Sequence, residues 1–358
     1  MSMDGVLQKL RHLVAFDTQN PPRDIQVESP IFAWIKETLG TDFNVEMFDH
    51  GLGRISMLAV RGTPSLLFNS HLDTVPVIAG SRFPALELTL DEGKVYGRGA
   101  CDIKGAAACL LEVAGSTSQP MALLFTTDEE GAKGCCVNEF VASGQLAAYE
   151  QVVVTEPTEC RAVLSHRGYL SVKGEFGGVP GHSSEQRALK DNAVHKLANW
   201  ASLAIGEAAR LEADDRRPCF NVGEVHGGIK SNVIADKANV HWSARLSPGD
   251  SNEEFLELMC NLASGDQAEW VVPFSGPPLP TNGMDLGAAK EFVQRFGLEV
   301  GPDVNFWTEA SLFSRAGTPA IVLGPGDIAQ AHAIDEWVSI QQLEQAFHIY
   351  KKLVENYD

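Results

Sequence analysis

Three short apolar runs, each ending in side chains that bind metal, limit what this chain can fold into more than any other feature. Ser65-Leu66-Leu67-Phe68-Asn69-Ser70 leads into His71-Leu72-Asp73. Ala122-Leu123-Leu124-Phe125-Thr126-Thr127 leads into Asp128-Glu129-Glu130, and Gln151-Val152-Val153-Val154-Thr155 leads into Glu156. Apolar runs of this length, continuous rather than alternating, read as buried strands of an α/β sheet. Open α/β sheets hold ligands just beyond the carboxyl ends of their strands. Several acids and a histidine delivered to one such edge would repel each other unless cations held them, so the pattern points to a metal site.

At 358 residues the chain is too long for one ordinary core and implies about two domains. Its net charge of -19 (Lys+Arg 28, Asp+Glu 47) argues against nucleic acid or an anionic membrane as partner. The seven cysteines are odd in number and form no CxxC pair, so neither a disulfide framework nor a zinc ribbon is indicated. The adjacent Cys135 and Cys136 read as buried packing. Residues 1–17 have amphipathic spacing through Leu7, Leu10 and Val14 but lack the apolar core of a signal peptide, and no stretch is long enough to span a bilayer. The expectation is a cytoplasmic protein.

Along the first 160 or so residues strand-like and helix-like segments alternate. A first helix ends at Asn20-Pro21-Pro22, a second covers 31–39, strands follow near 45–47 and 55–60, and an Ala- and Leu-rich helix covers 104–114. After Glu156 the pattern changes. Residues 166–176 alternate like a half-exposed strand, a helix is expected over 185–208, strands over 219–225 and 238–246, a helix over 252–262 and a strand over 268–274. That order is the split βαβ arrangement of a ferredoxin-like sandwich. Ser275-Gly276-Pro277-Pro278-Leu279-Pro280 reads as a return linker, followed by a helix over 286–296, a strand over 320–323 and a terminal helix over 340–355. The expected division is therefore 1–164 and 278–358 for the metal-binding domain and 165–277 for an insertion.

Within these segments the residue types suggest roles. His71 and Asp73, two apart at a strand end, point to one side if the backbone stays extended. Histidine is the commonest metal ligand, and a nearby carboxylate such as Asp73 would orient it. Asp102, in Gly97-Arg98-Gly99-Ala100-Cys101-Asp102-Ile103-Lys104-Gly105, reads either as a helix N-cap or as a carboxylate bridging two divalent ions. A dinucleotide loop is excluded, because Asp102 stands where the last glycine of GxGxxG belongs. Glu129 and Glu130 can divide two tasks, one ligating metal while the other accepts a proton from water. Glu156 is pinned by Pro157, and His332 gains weight by following another strand and the turn Gly324-Pro325-Gly326.

Taken together, His71-Leu72-Asp73-Thr74-Val75-Pro76, Gly97 to Asp102, Asp128-Glu129-Glu130-Gly131, Glu156-Pro157-Thr158 and Ala331-His332 to Glu336 resemble the co-catalytic zinc aminoacylases and peptidases. That family includes acetylornithine deacetylase, succinyl-diaminopimelate desuccinylase and glutamate-releasing carboxypeptidases. Asn20-Pro21-Pro22-Arg23, Phe306-Trp307-Thr308-Glu309-Ala310 and 323–332 resemble the acetylornithine and acetylcitrulline deacetylase branch. Ile103 and Ala106 depart from the family's more usual Met and Gly, both conservatively in volume.

The resemblance implies a three-layer, mixed-sheet α/β domain carrying two zinc ions, for which cobalt can substitute, and an inserted ferredoxin-like α+β lid and dimerisation domain. His71, Asp102 and Glu156 would bind one zinc, and Asp102 would bridge to a second held by Glu130 and His332. Glu129 would be the general base and Asp73 the support of His71. His182, in Gly181-His182-Ser183-Ser184, would stabilise the oxyanion in the partner subunit's site, while Asn232 and Arg245 would bind substrate. The lid would close on hinges near Ser165 and Pro277. The implied activity is removal of the N-acetyl group from N-acetyl-L-ornithine or N-acetyl-L-citrulline, a small-molecule step of arginine biosynthesis, by a homodimer. The alternatives are a desuccinylase or dipeptidase using the same ions, and a catalytically silent metal-binding homologue. The intact set of Glu129, both histidines and the other acids speaks against the last.

Overall fold

The apolar runs 66–71, 121–126 and 151–154 are buried at every position, so each needs cover on both faces. The structure, a computed structural model, describes residues 3–131, 136–213, 218–263, 265–281 and 286–357; Cys135 lies outside them. Helices α1 (Met3–Ala15) and α2 (Pro30–Leu39) lead to the hairpin β1 (Asn44–Asp49) and β2 (Ile55–Arg61), then β3 (Leu66–His71). A small hairpin, β4 (Thr89–Asp91) and β5 (Lys94–Tyr96), precedes α3 (Lys104–Ser116), β6 (Met121–Thr126), α4 (Cys136–Ala142) and β7 (Gln151–Val154).

The next elements are β8 (Tyr169–Gly177), β9 (Gly181–His182), α5 (Ala188–Asp191), α6 (Ala193–Ala213), β10 (Cys219–Gly227), β11 (Val233–Ile234), β12 (Lys237–Arg245), α7 (Asn252–Asn261) and β13 (Ala268–Gly276). They form an antiparallel sheet in the order β10-β12-β8-β13, with β9 and β11 paired apart from it. This is the split βαβ topology. Along β8 Val172, Gly174 and Phe176 are buried while Lys173 and Glu175 are exposed. The inward set packs with Trp200 of α6, Trp242 of β12 and Phe255 and Met259 of α7 into a separate aromatic core.

The long helix begins at Ala193, eight residues later than the expected start at Glu185. The interval holds the separate short helix α5, and before it Arg187 bonds Glu185 and the carbonyls of Val179 and Pro180, which sets the chain there off the axis of the long helix. Asn192 then accepts the Val194 N–H and caps the helix. The first strand begins at Tyr169 rather than His166, since His166 instead exchanges main-chain bonds with Leu279. Leu279 is thereby tied to this unit rather than lying in a free linker.

The chain returns through α8 (Gly287–Phe296), α9 (Ala310–Arg315), β14 (Ala320–Val322), β15 (Trp337–Ser339) and α10 (Ile340–Asn356). The main sheet has the order β1-β2-β6-β3-β7-β14, in which β6, β3, β7 and β14 are mutually parallel and β2 is antiparallel to both of its neighbours, β6 and β1. Helix α3 is buried along residues 104–114, packed on β3 and between α1 and α10. Alanine at 106–108 permits that close approach. Tyr350 of α10 donates its hydroxyl to the Leu323 carbonyl at 2.7 Å, which ties the last helix to the end of β14. Two compact units result: Met1–Leu164 with Asp285–Asp303 and Thr308–Asp358, and Ser165–Met284 with Val304–Trp307.

Candidate metal centre

Because β3, β6 and β7 are parallel neighbours, their carboxyl ends lie on one edge of the sheet. His71 closes β3, Glu129 and Glu130 follow β6, and Glu156 follows β7. Asp102 arrives on the loop between β5 and α3, and His332 on the loop between β14 and β15. All of them belong to the first unit. Asp102 is not the helix cap; that position is Ile103, with no side-chain capping bond. The loop needs Gly99, whose φ is +83° and whose absent Cβ would lie 2.9 Å from Lys104 Cδ and Thr74 Cγ2. His332 is held at φ +59°, a left-handed conformation that histidine adopts more readily than most residues.

At the centre stands Asp102. Its Oδ1 is 3.2 Å from His71 Nε2 and its Oδ2 is 3.2 Å from His332 Nε2. Glu156 Oε1 lies 3.5 Å from His71 Nε2, and Glu130 Oε1 lies 3.1 Å from His332 Nε2. The arrangement is thus two groups sharing one carboxylate: His71, Asp102, Glu156 and His332, Asp102, Glu130. His71 Nδ1 donates to the main-chain carbonyl of Asp73 at 2.9 Å, with the Asp73 carboxylate farther, at 3.4 Å. The Asp73 carboxylate instead accepts from Asn20 Nδ2 and from the Glu130 N–H, so it orients Glu130 as well.

Charge is concentrated here. Burial lowers the His71 pKa, but Glu156, Asp102 and Asp73 outweigh it and hold the ring well above its ordinary value. Hydrogen bonds to Asp102 and Glu130 raise His332 to about 10. Burial and the neighbouring Asp102 carboxylate push Glu130 up to about 7 and also raise Glu156. Burial pushes Glu129 well above the usual carboxylate range. Despite its own burial, Asp102 is held well below that range by His332 and His71.

The donor set fits divalent metal. Zinc at about 2.1 Å from each of its tetrahedral ligands spaces them about 3.4 Å apart, close to the 3.1–3.5 Å separations between these atoms. His71, Asp102 and Glu130 each offer a ligand atom, all within 4.8 Å of one another. The other nitrogen of His71 is already anchored, as metal-bound imidazoles usually are.

Two buried groups escape a sequence reading. Arg98 Nη1 donates to Glu336 at 2.6 Å in a buried ion pair, and Glu309 accepts from the Thr126 hydroxyl at 3.1 Å beneath the edge. Burial and the Asp128 carboxylate raise Glu309 to about 8. Their sequence sign is their place in the segments Gly97 to Asp102, Phe306 to Ala310 and Ala331 to Glu336 that carry the family resemblance. His182, Asn232 and Arg245 belong to the second unit. There His182 pairs with Val233, the Ser183 N–H donates to the Asn232 carbonyl, and the Arg245 guanidinium lies 3.8 Å over the Tyr169 ring.

Similarity to known proteins bears on this geometry. N-acetyl-L-citrulline deacetylase of Xanthomonas campestris pv. campestris is 39% identical over 359 residues, covering 98% of this chain and 97% of that protein. Acetylornithine deacetylase of Proteus mirabilis is 29% identical, covering 90% and 88%. The crystal structure of an M20 family metallo-carboxypeptidase from Sulfolobus solfataricus superposes with a TM-score of 0.74 at 16% identity, over 98% of this chain and 99% of that one. Among the described residues no helix is long and apolar enough to cross a membrane. The model of peptidase family M20/M25/M40 matches residues 67–356, which run from within β3 to the end of α10 and include every group of the metal centre; the chain belongs to that family.

Proposed function

We propose that this chain is a zinc-dependent deacetylase that hydrolyses N-acetyl-L-citrulline or N-acetyl-L-ornithine to acetate and the free amino acid. The observation that carries this reading is Asp102, which turns one oxygen to each of two histidine–glutamate pairs. The substrate class rests on the likeness to the citrulline and ornithine deacetylases. One ion would be held by His71, Asp102 and Glu156, the second by Asp102, Glu130 and His332, with cobalt able to replace zinc. When bound, such ions lower the pKa of water toward about 7 and place positive charge at the reacting carbonyl.

The protein's own groups then divide the work. Glu129, beside these ligands but not needed as one, takes a proton from the attacking water and delivers it to the leaving amine. Asp73 fixes His71 through its carbonyl and Glu130 through its carboxylate. To His182 we assign donation to the oxyanion, to Asn232 the substrate's polar groups, and to Arg245 its α-carboxylate. Stacking on Tyr169 fixes the plane of the Arg245 fork, which suits a planar carboxylate better than lysine would. We assign the second unit the roles of lid and dimer contact. The described cysteines are free thiols, which suits the reducing cytoplasm.

The test is acetate release from N-acetyl-L-citrulline and N-acetyl-L-ornithine, with N-succinyl-diaminopimelate and a dipeptide as competitors, each with added zinc or cobalt. Metal-dependent acetate release from an acetylated amino acid is expected. Turnover of only the succinylated substrate or the dipeptide would replace the deacetylase reading. Metal binding with no turnover at all would leave a silent homologue.

A further inference from the structure

We infer that Glu336 is a positioning residue whose carboxylate builds the loop that presents Asp102. Its Oε2 accepts from Arg98 Nη1 at 2.6 Å and from the Gly99 N–H at 2.9 Å. Its Oε1 accepts from the N–H groups of Cys101 and Asp102, each at 2.9 Å. A carboxylate has about four lone-pair sites, and all four are occupied. Glu336 therefore has nothing left for a metal, although it stands close to the ligands in sequence and space. Its acceptors are directed at the main chain of residues 99–102, whose N–H groups converge as in an anion-binding nest.

The attachment runs both ways. The Gly97 N–H donates to the Glu336 carbonyl at 3.2 Å, and Arg98 Nη2 donates to the Ala333 carbonyl at 3.3 Å. Immediately beyond, β15 pairs with β5 in the register Trp337–Tyr96. The segment that carries His332 and the segment that carries Asp102 are thus joined by the Glu336 and Arg98 side chains and by the β5–β15 pairing, and of these only the Glu336 carboxylate reaches the Asp102 N–H. Asp102 must aim its two oxygens at two different histidines, so a small rotation of its backbone would spoil both groups at once. Removing the Glu336 charge would also leave buried N–H groups without an acceptor.

This inference rests on the two-ion reading of the site, and the experiment separates the two. Wild type, Glu336→Gln and Arg98→Lys are stripped with chelator, and zinc binding is titrated by calorimetry alongside circular dichroism and steady-state kinetics. Glutamine keeps the shape but offers one acceptor oxygen and an amide that faces N–H donors. Glu336→Gln is expected to remain folded, to lose about 10- to 100-fold in metal affinity, and to lose kcat with little change in KM. Arg98→Lys keeps a positive charge beside Glu336 and leaves the three N–H contacts in place, so its metal affinity should stay near wild type. Unchanged metal affinity in Glu336→Gln would overturn the role, as would equal losses in both variants, which would mark an ordinary buried ion pair. If Glu336→Gln does not fold, Glu336→Asp, which retracts the carboxylate by one methylene, should show the same loss of affinity, and wild-type affinity there would overturn the role. Failure of the wild type to bind zinc would instead remove the two-ion reading.

Discussion

Glu129 and Glu130 are neighbours in sequence with different surroundings. Glu130 accepts from the Val75 N–H and faces His332, while Glu129 feels His71, Glu156, Glu130 and Asp102 only through space. The proposed ligand and the proposed base differ in this way, so Glu129→Gln should retain metal binding while kcat falls by about 10²- to 10⁴-fold. Metal titration and kinetics on one preparation check this, and near-wild-type turnover would remove the assignment. His332 gives a pH test. Its pKa in the folded, metal-free protein is raised from 6.5 to about 10. The stabilisation this represents is complete below pH 6.5 and is lost as pH rises through about 10. Metal must displace that proton, so binding should release protons and strengthen as pH rises. Calorimetry in buffers of different ionisation heat would show it, and identical apparent enthalpies would contradict it.

The elements that bear the ligands were legible to very different degrees. β3, β6 and β7 could be read directly, because continuous apolar runs have few homes other than a strand covered on both faces. The insertion's strand and helix order could be read for a similar reason, since alternation and helical spacing are local signals. The start of α6 could not, because it depends on Arg187 reaching back to the carbonyls of Val179 and Pro180. The Arg98–Glu336 pair was likewise hidden, since its partners lie far apart in sequence and no local pattern links them. Helix α3 offers a test at this scale. A Cβ on Gly105 would lie 2.4 Å from the Ala100 carbonyl oxygen, which is backbone and cannot swing aside. Gly105→Ala should therefore displace the Asp102 loop, cost about 1–3 kcal/mol and weaken metal binding. Denaturant unfolding and metal titration would check it; unchanged values in both would show that the loop yields freely.

At the scale of the molecule, each compact unit has its own core, one around the main sheet and one around Trp200 and Trp242. The clustered metal groups all belong to the first unit. A ligand present at one hundred times its Kd adds about 2.7 kcal/mol to the stability of what it binds. Chelation should therefore lower the unfolding temperature of the first unit and leave that of the second nearly unchanged. Differential scanning calorimetry with and without chelator would show one transition moving, and two unmoved transitions would deny that metal is part of the folded state. Light scattering tests the proposed dimer, for which a fully active monomer would be the contrary result.

The order of the ligands along the chain has a further consequence for how such a protein is made. His71, Asp102, Glu130 and Glu156 all precede the second unit, and His332 follows it. On a translating ribosome the three groups assigned to the first ion emerge together, whereas the second ion's set waits for nearly the whole polypeptide. Any chain that stops within or just after the second unit would carry one complete set of ligands and one incomplete set. Completion of the C-terminal segment, which brings both His332 and Glu336, is thus the event that would supply the last ligand of the second set and the carboxylate that aims Asp102 at both.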